Sequence, residues 1–185
     1  MKESKKRTPT RNKNILLGVT SSVACYKALT LASLFVKKGL TVKTVMTPNA
    51  ALLLSPVLFN AVTADEVLAD GLSRQKPFET GHIALSEWAD LFIIAPATAN
   101  TISKIASGIC DNLLTTLVVS RRAPLYLAPA MESAMWNNSV IKENCEKLKK
   151  IGVKFIGPAR GRLASGKVGI GRMTEPVDIV KELKL

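Results

Sequence analysis

The sequence predicts an α/β fold: one domain, with a parallel sheet between two layers of helices. Two observations carry this prediction. Short apolar runs bounded by turn residues alternate with longer segments whose apolar positions recur at helical spacing, the pattern of a sheet covered on both faces. Polar signatures also follow directly after apolar runs: Thr20-Ser21-Ser22, Thr47-Pro48-Asn49, PATANT at 96–101 and PAMESAMW at 129–136. In open α/β sheets, that carboxyl edge is where ligands bind.

The elements follow in order. Asn14 to Val19 reads as a buried strand ending at Thr20-Ser21-Ser22, and Val23 to Lys38 as a helix stopped by Gly39. Leu40 to Met46 is a second strand, completing a β-α-β unit that crosses over right-handed. Ala50 to Val62 is apolar and helical, with Pro56 a possible break, and residues 63–80 read as a loop. A short helix over His82 to Ala89 precedes a third strand, Asp90 to Ala95. A helical pair then spans Ile102 to Val119, broken at Gly108, with Asp111 or Asn112 as cap of its second member. Pro124 to Ala128 and Val153 to Ile156 are the fourth and fifth strands, joined through a helix over Ser139 to Lys150. A segment with four basic side chains and four glycines, 159–173, leads to a last helix, Pro176 to Leu183.

Composition sets the outer limits. At 185 residues and 47% hydrophobic, the chain can bury a substantial core, and 5% aromatic content leaves that core to Leu, Ile, Val and Ala. No run reaches the ~18 apolar residues of a membrane span. The basic N-terminus is not followed by a signal-type apolar segment, so a cytoplasmic protein without a membrane partner is expected. The formal net charge is +12, but six Lys or Arg lie in the first 13 residues. That segment reads as a disordered basic tail, with 14–185 as the folded domain. No aromatic interleaving or nucleic-acid motif accompanies the remaining charge, so no nucleic-acid partner is expected. Cys25, Cys110 and Cys145 lack metal-ligand spacing and read as free thiols, with no metal site.

The stretch from Gly81 to Asn112 is the functional centre of the sequence. It holds the only histidine, His82, then a core strand, then PATANT opening a helix. Such a turn can present backbone N–H groups to a phosphate or a polar ring edge, or can simply cap a helix. The first turn, Thr20 to Val23, lacks G-x-G-x-x-G, which argues against a dinucleotide site and leaves room for a mononucleotide.

Three motifs in order give a resemblance. His82 before PATANT, the PAMESAMW segment, and GRLASGKVGIGRM at 161–173 resemble the homo-oligomeric flavin-containing cysteine decarboxylases over Asn14 to the C-terminus. The resemblance implies a Rossmann-like three-layer fold with FMN between subunits of a homotrimer, or of a homododecamer built from trimers. It is strongest to members that decarboxylate 4′-phospho-N-pantothenoylcysteine to 4′-phosphopantetheine in coenzyme A biosynthesis. By matching position, Thr20, Ser21, Ser22, Val23, Thr47, Ser55, Thr98, Ala99, Asn100 and Thr101 would hold the flavin. Met131, Glu132, Met135, Ala164, Ser165 and Gly166 would meet the substrate. His82 matches the catalytic base, a role suited to the side chain that titrates nearest neutral pH. Bifunctional members continue into a ligase domain, whereas this sequence stops after KELKL.

Two positions depart from the family pattern. Glu132 stands where the motif has asparagine, which can donate to a substrate carboxylate as an ionised glutamate cannot. Ser165 stands where the clamp has its proton-donating cysteine, and a hydroxyl is a far weaker acid than a thiol of reference pKa about 8.5. One expectation is that another acid, Glu132 included, completes the reaction. A second is that the chain stops at an enethiol, as members acting on a peptidyl C-terminal cysteine do. A third is a non-catalytic flavoprotein subunit. The retained glycines and basic residues of 161–173 suit a phosphorylated substrate and favour the first.

Overall fold

The computed structural model describes residues 13–69 and 81–185. β1 (Asn14–Val19) leads through a turn of small residues into α1 (Cys25–Lys37), and β2 (Thr41–Met46) returns alongside β1. Pro48 opens α2 (Pro48–Leu53) and Pro56 opens α3 (Pro56–Thr63). The residue before a proline is pushed out of helical geometry, so the apolar run 50–62 becomes two helices. β3 (Leu68–Ala69) is a two-residue edge strand on β2, inside a stretch expected to be loop; the rest of that stretch, 70–80, lies outside the described residues.

α4 (Gly81–Trp88) precedes β4 (Leu91–Ala97), which runs two residues past its expected end. It carries Pro96 because its register against the next strand slips between Ile94 and Ala97, the kind of irregularity where a proline is tolerated. α5 (Ala99–Ala106) and α6 (Leu113–Ser120) follow; Asn112, not Asp111, caps α6, in a reciprocal capping box with Thr115. β5 (Leu125–Pro129), α7 (Ser133–Trp136), α8 (Ser139–Lys150) and β6 (Lys154–Phe155) complete the central layers. The glycine-rich segment, which carries no expected element, is an antiparallel hairpin, β7 (Ala159–Arg162) and β8 (Val168–Arg172), ahead of α9 (Pro176–Glu182).

The six sheet strands pair in parallel in the order β3-β2-β1-β4-β5-β6. Alternation along β1 divides the core. Ile15, Leu17 and Val19 pack with Leu31 and Phe35 of α1 and Ile179 of α9, while Leu16 packs on the other face with Ile102, Leu117 and Leu148. Gly18 lies on that second face, where a Cβ would come within 2.6 Å of Leu114, so the glycine lets α6 approach the sheet. Phe35, Phe59 and Phe92 are fully enclosed, and truncating any one would cost roughly 3–5 kcal/mol. The expected basic tail, apart from Lys13, falls outside the described residues.

Candidate functional site

The strand order reverses between β1 and β4, and their carboxyl ends are tied together there. Thr20 follows β1 and is 1% exposed. Its hydroxyl donates to the Pro96 carbonyl at 2.7 Å and accepts from the Thr98 backbone N–H at 3.1 Å. Thr98 in turn caps α5, its Oγ1 accepting from the Thr101 N–H and donating to the Thr101 hydroxyl. The side chains of Thr20, Thr98 and Thr101 are thus occupied in shaping the crevice.

Beside this crevice lies a cavity of about 520 Å³. One wall is the turn before α1, Ser22 to Ala24; the opposite wall is Ala130, Met131 and Glu132; Leu163, Ala164 and Arg172 of the hairpin region close it. The hairpin seats on the 129–136 segment at contact distance. The Met131 N–H donates to the Gly171 carbonyl at 3.0 Å, and the Ser133 hydroxyl donates to the Ile170 carbonyl at 2.7 Å. A Cβ on Gly171, whose φ is +146°, would lie 2.2 Å from the Met131 carbonyl oxygen, and one on Gly169 would lie 2.1 Å from Ser133 Oγ. Only glycine allows backbone to approach this closely. Across the same junction, the Ser165 hydroxyl donates to Glu132 Oε2 at 2.9 Å. Glu132 occupies the N-cap position of α7 but makes no side-chain cap bond, so helix capping does not explain its presence.

Lys27, which sequence reasoning missed, also lines the cavity. It sits on the apolar stripe of α1, four residues before Leu31, and its side chain is 8% exposed. Its ammonium donates to Glu175 Oε1 at 2.8 Å and to the Met173 carbonyl at 3.4 Å. Arg172 also pairs with Glu175. The hydrogen bond from Lys27, with help from Arg172 and against partial burial, holds the Glu175 carboxyl below its ordinary range. A lysine on the buried face of a helix was the available signal; its carboxylate partner, 148 residues away, was not visible.

His82 is half-buried and lies elsewhere in the chain. With Pro48, Cys110, Asp111, Asn112 and Thr116, it lines a separate depression of about 500 Å³. Burial raises the thiols of Cys25 and Cys145 above their ordinary value, as expected for inert core cysteines. Among the described residues, no cluster of three or more His, Cys, Asp or Glu forms a metal site, and no helix is long and apolar enough to cross a membrane.

The expected residues therefore fall into groups. Ser22, Val23, Met131, Glu132 and Ala164 share one cavity, and Ser165 reaches it through Glu132. Thr47 caps α2, accepting from the Ala50 N–H. Ser55 stands at the start of α3 without a capping bond, and Ser21 and Asn100 are exposed. Ala99 is buried at the start of α5, Gly166 is exposed between the hairpin strands, and Met135 lies outside the cavity's lining. The donor set suits a phosphorylated mononucleotide. The exposed Ser21 hydroxyl, the exposed Asn100 amide and the backbone N–H groups of Ala99 and Asn100 follow the ends of β1 and β4, with no competing carboxylate among them.

A family model described as Flavoprotein matches residues 3–184. The coenzyme A biosynthesis bifunctional protein CoaBC of Bacillus subtilis is 45% identical over 92% of this chain, which spans 42% of that protein's length. The probable phosphopantothenoylcysteine decarboxylase of Streptococcus mutans is 36% identical, with 93% of this chain and 97% of that protein covered. Among solved structures, a cysteine-to-serine mutant PPC decarboxylase complexed with pantothenoylaminoethenethiol superposes with a TM-score of 0.82. It is 35% identical, covering 94% of this chain and 97% of that one. The FMN binding protein AtHal3 superposes with a TM-score of 0.79, also at 35% identity, over 94% of this chain and 96% of that one.

Proposed function

The chain belongs to the Flavoprotein family, and on that premise we propose that it is an FMN-dependent decarboxylase of 4′-phospho-N-pantothenoylcysteine. Its product would be 4′-phosphopantetheine, in cytoplasmic coenzyme A biosynthesis, with residues 14–185 as the working unit. The observation that carries this reading is the single cavity joining the Ser22–Val23 turn to Met131, Glu132 and Ala164.

Ser21, Ser55, Asn100 and the amides opening α5 bind the flavin and its phosphate. When bound, FMN supplies a two-electron acceptor, so that the oxidised thiol carbon becomes an electron sink for loss of the carboxylate. Met131 and Ala164 exclude water from that step, and Arg162 and Arg172 attract the anionic substrate. His82 takes the proton released as the substrate is oxidised. Because His82 and Glu132 line different depressions of one chain, a complete site needs His82 from a second copy. This supports a homo-oligomer, a trimer or an assembly of trimers. Exposed Leu52, Leu53 and Val57 on α2 and α3, beside Pro48 of the His82 depression, are apolar surface for such packing.

The test is to purify the protein, record its flavin absorbance and identify its product by mass spectrometry. A colourless protein that does not take up FMN, or one that removes no carbon dioxide, would overturn the reading. Ser165 favours a second outcome, release of the enethiol after decarboxylation, as would also occur on a peptidyl cysteine. In that case the product has lost two hydrogens as well as carbon dioxide.

A further inference from the structure

Reduction of an enethiol to a saturated thiol adds a hydride and a proton, so a proton donor must reach the substrate carbon. Ser165 alone is too weak an acid for this. Glu132 has the placement. It lines the cavity, it does not cap α7, and its Oε2 is occupied by the Ser165 hydroxyl. Oε1 has no hydrogen-bond partner among the described residues. Nor does an ion pair among those residues engage Glu132: of the cavity cations Lys27, Arg162 and Arg172, Lys27 and Arg172 are paired with Glu175 instead.

We infer that Glu132 is the acid that completes the reaction and that Ser165 is its positioning residue, so that the two departures from the family pattern work as one unit. The inference rests on the decarboxylase reading. The Glu132 carboxyl gives its proton to the carbon that lost carbon dioxide. The carbon–carbon double bond supplies the electron pair for the new C–H bond, while a lone pair of the thiolate sulfur forms a carbon–sulfur double bond. When bound, the flavin reduced in the oxidative half would supply the hydride that the sulfur-bearing carbon accepts, which restores the thiolate. Glu132 is left as a carboxylate, and the hydrogen bond from Ser165 stabilises it. The same bond closes the junction between the hairpin and the 129–136 segment, so the acid is in place only when the hairpin is seated.

The experiment compares wild type with Glu132→Gln, Ser165→Ala and Ser165→Thr, all as purified flavin-bound protein, and measures the ratio of thiol to enethiol formed. In Glu132→Gln the ratio should fall about a hundredfold, the scale of a lost general acid. In Ser165→Ala it should fall on the order of tenfold, the scale of a lost hydrogen bond to a charged group, and Ser165→Thr should restore it. Melting temperatures of Glu132→Ala, Ser165→Ala and the double variant should be non-additive, a readout independent of turnover. A wild-type ratio in Glu132→Gln, additive melting shifts, or a wild-type protein that releases only enethiol would overturn the inference and leave the decarboxylase reading standing. Failure of every form to release carbon dioxide would instead remove the reading beneath it.

Discussion

Thr20 and Thr98 meet across 78 residues of sequence, where the Thr98 backbone N–H donates to the Thr20 hydroxyl at 3.1 Å. With the bond from Thr20 to the Pro96 carbonyl, this contact holds the ends of β1 and β4 at a fixed separation where the strand order reverses. Replacing Thr20 by valine keeps its volume and strands a buried donor and acceptor. The expected cost is roughly 1–3 kcal/mol, with weaker FMN retention, while Thr20→Ser stays close to wild type. Thermal melting and flavin titration of the two variants check this.

The Lys27–Glu175 pair should respond asymmetrically to mutation. Lys27→Met removes a buried charge and fills its space with apolar atoms, so stability should change little. Glu175→Ala leaves the Lys27 ammonium enclosed without its carboxylate. Its cost should be on the order of 1–3 kcal/mol, reduced from the fully buried case because water reaches Glu175. Denaturant unfolding of both variants gives the comparison.

The same pair sets a pH dependence. The folded Glu175 carboxyl titrates below its ordinary value of 4.5, so the unfolded state binds the proton more tightly. The stabilisation is complete above 4.5 and is lost as pH falls from there through the lower folded value. Wild-type melting temperature should drop over that acid range by more than that of Glu175→Gln. Equal slopes would exclude this contribution.

His82→Asn should retain flavin and lose turnover. Mixed and reassembled with a Glu132→Gln variant, which alone should stop at the enethiol, it should regain formation of the saturated thiol, because hybrid sites then pair an intact His82 from one copy with an intact cavity from another. Product analysis of the mixture against each variant alone decides whether one site draws on two chains.

Gly171→Ala should loosen the hairpin. Its Cβ would lie 2.2 Å from the Met131 carbonyl oxygen at a φ of +146°, so one backbone must move. A destabilisation of roughly 1–3 kcal/mol is expected, together with a raised substrate KM and unchanged flavin content. Steady-state kinetics beside absorbance spectra check it.

Much of this architecture follows from local sequence. Asn14–Val19 and Ser139–Lys150 are legible to the residue because apolar period and cap chemistry act within a few positions. The two-residue β3 has no periodicity of its own and exists because β2 offers it an edge. The hairpin strands β7 and β8 have no legible signal because their glycines carry no strand propensity; only the close approach to Met131 and Ser133 accounts for them. His82, PATANT, PAMESAMW and the glycine-rich segment could each be singled out by residue type and order. Which of them share a cavity could not. The separation of His82 from Glu132, the enclosure of Lys27 by Glu175 and the bond from Ser165 to Glu132 join residues far apart in sequence. Such contacts are set by how the sheet orders its strands and how the hairpin seats on α7, and no local pattern encodes them.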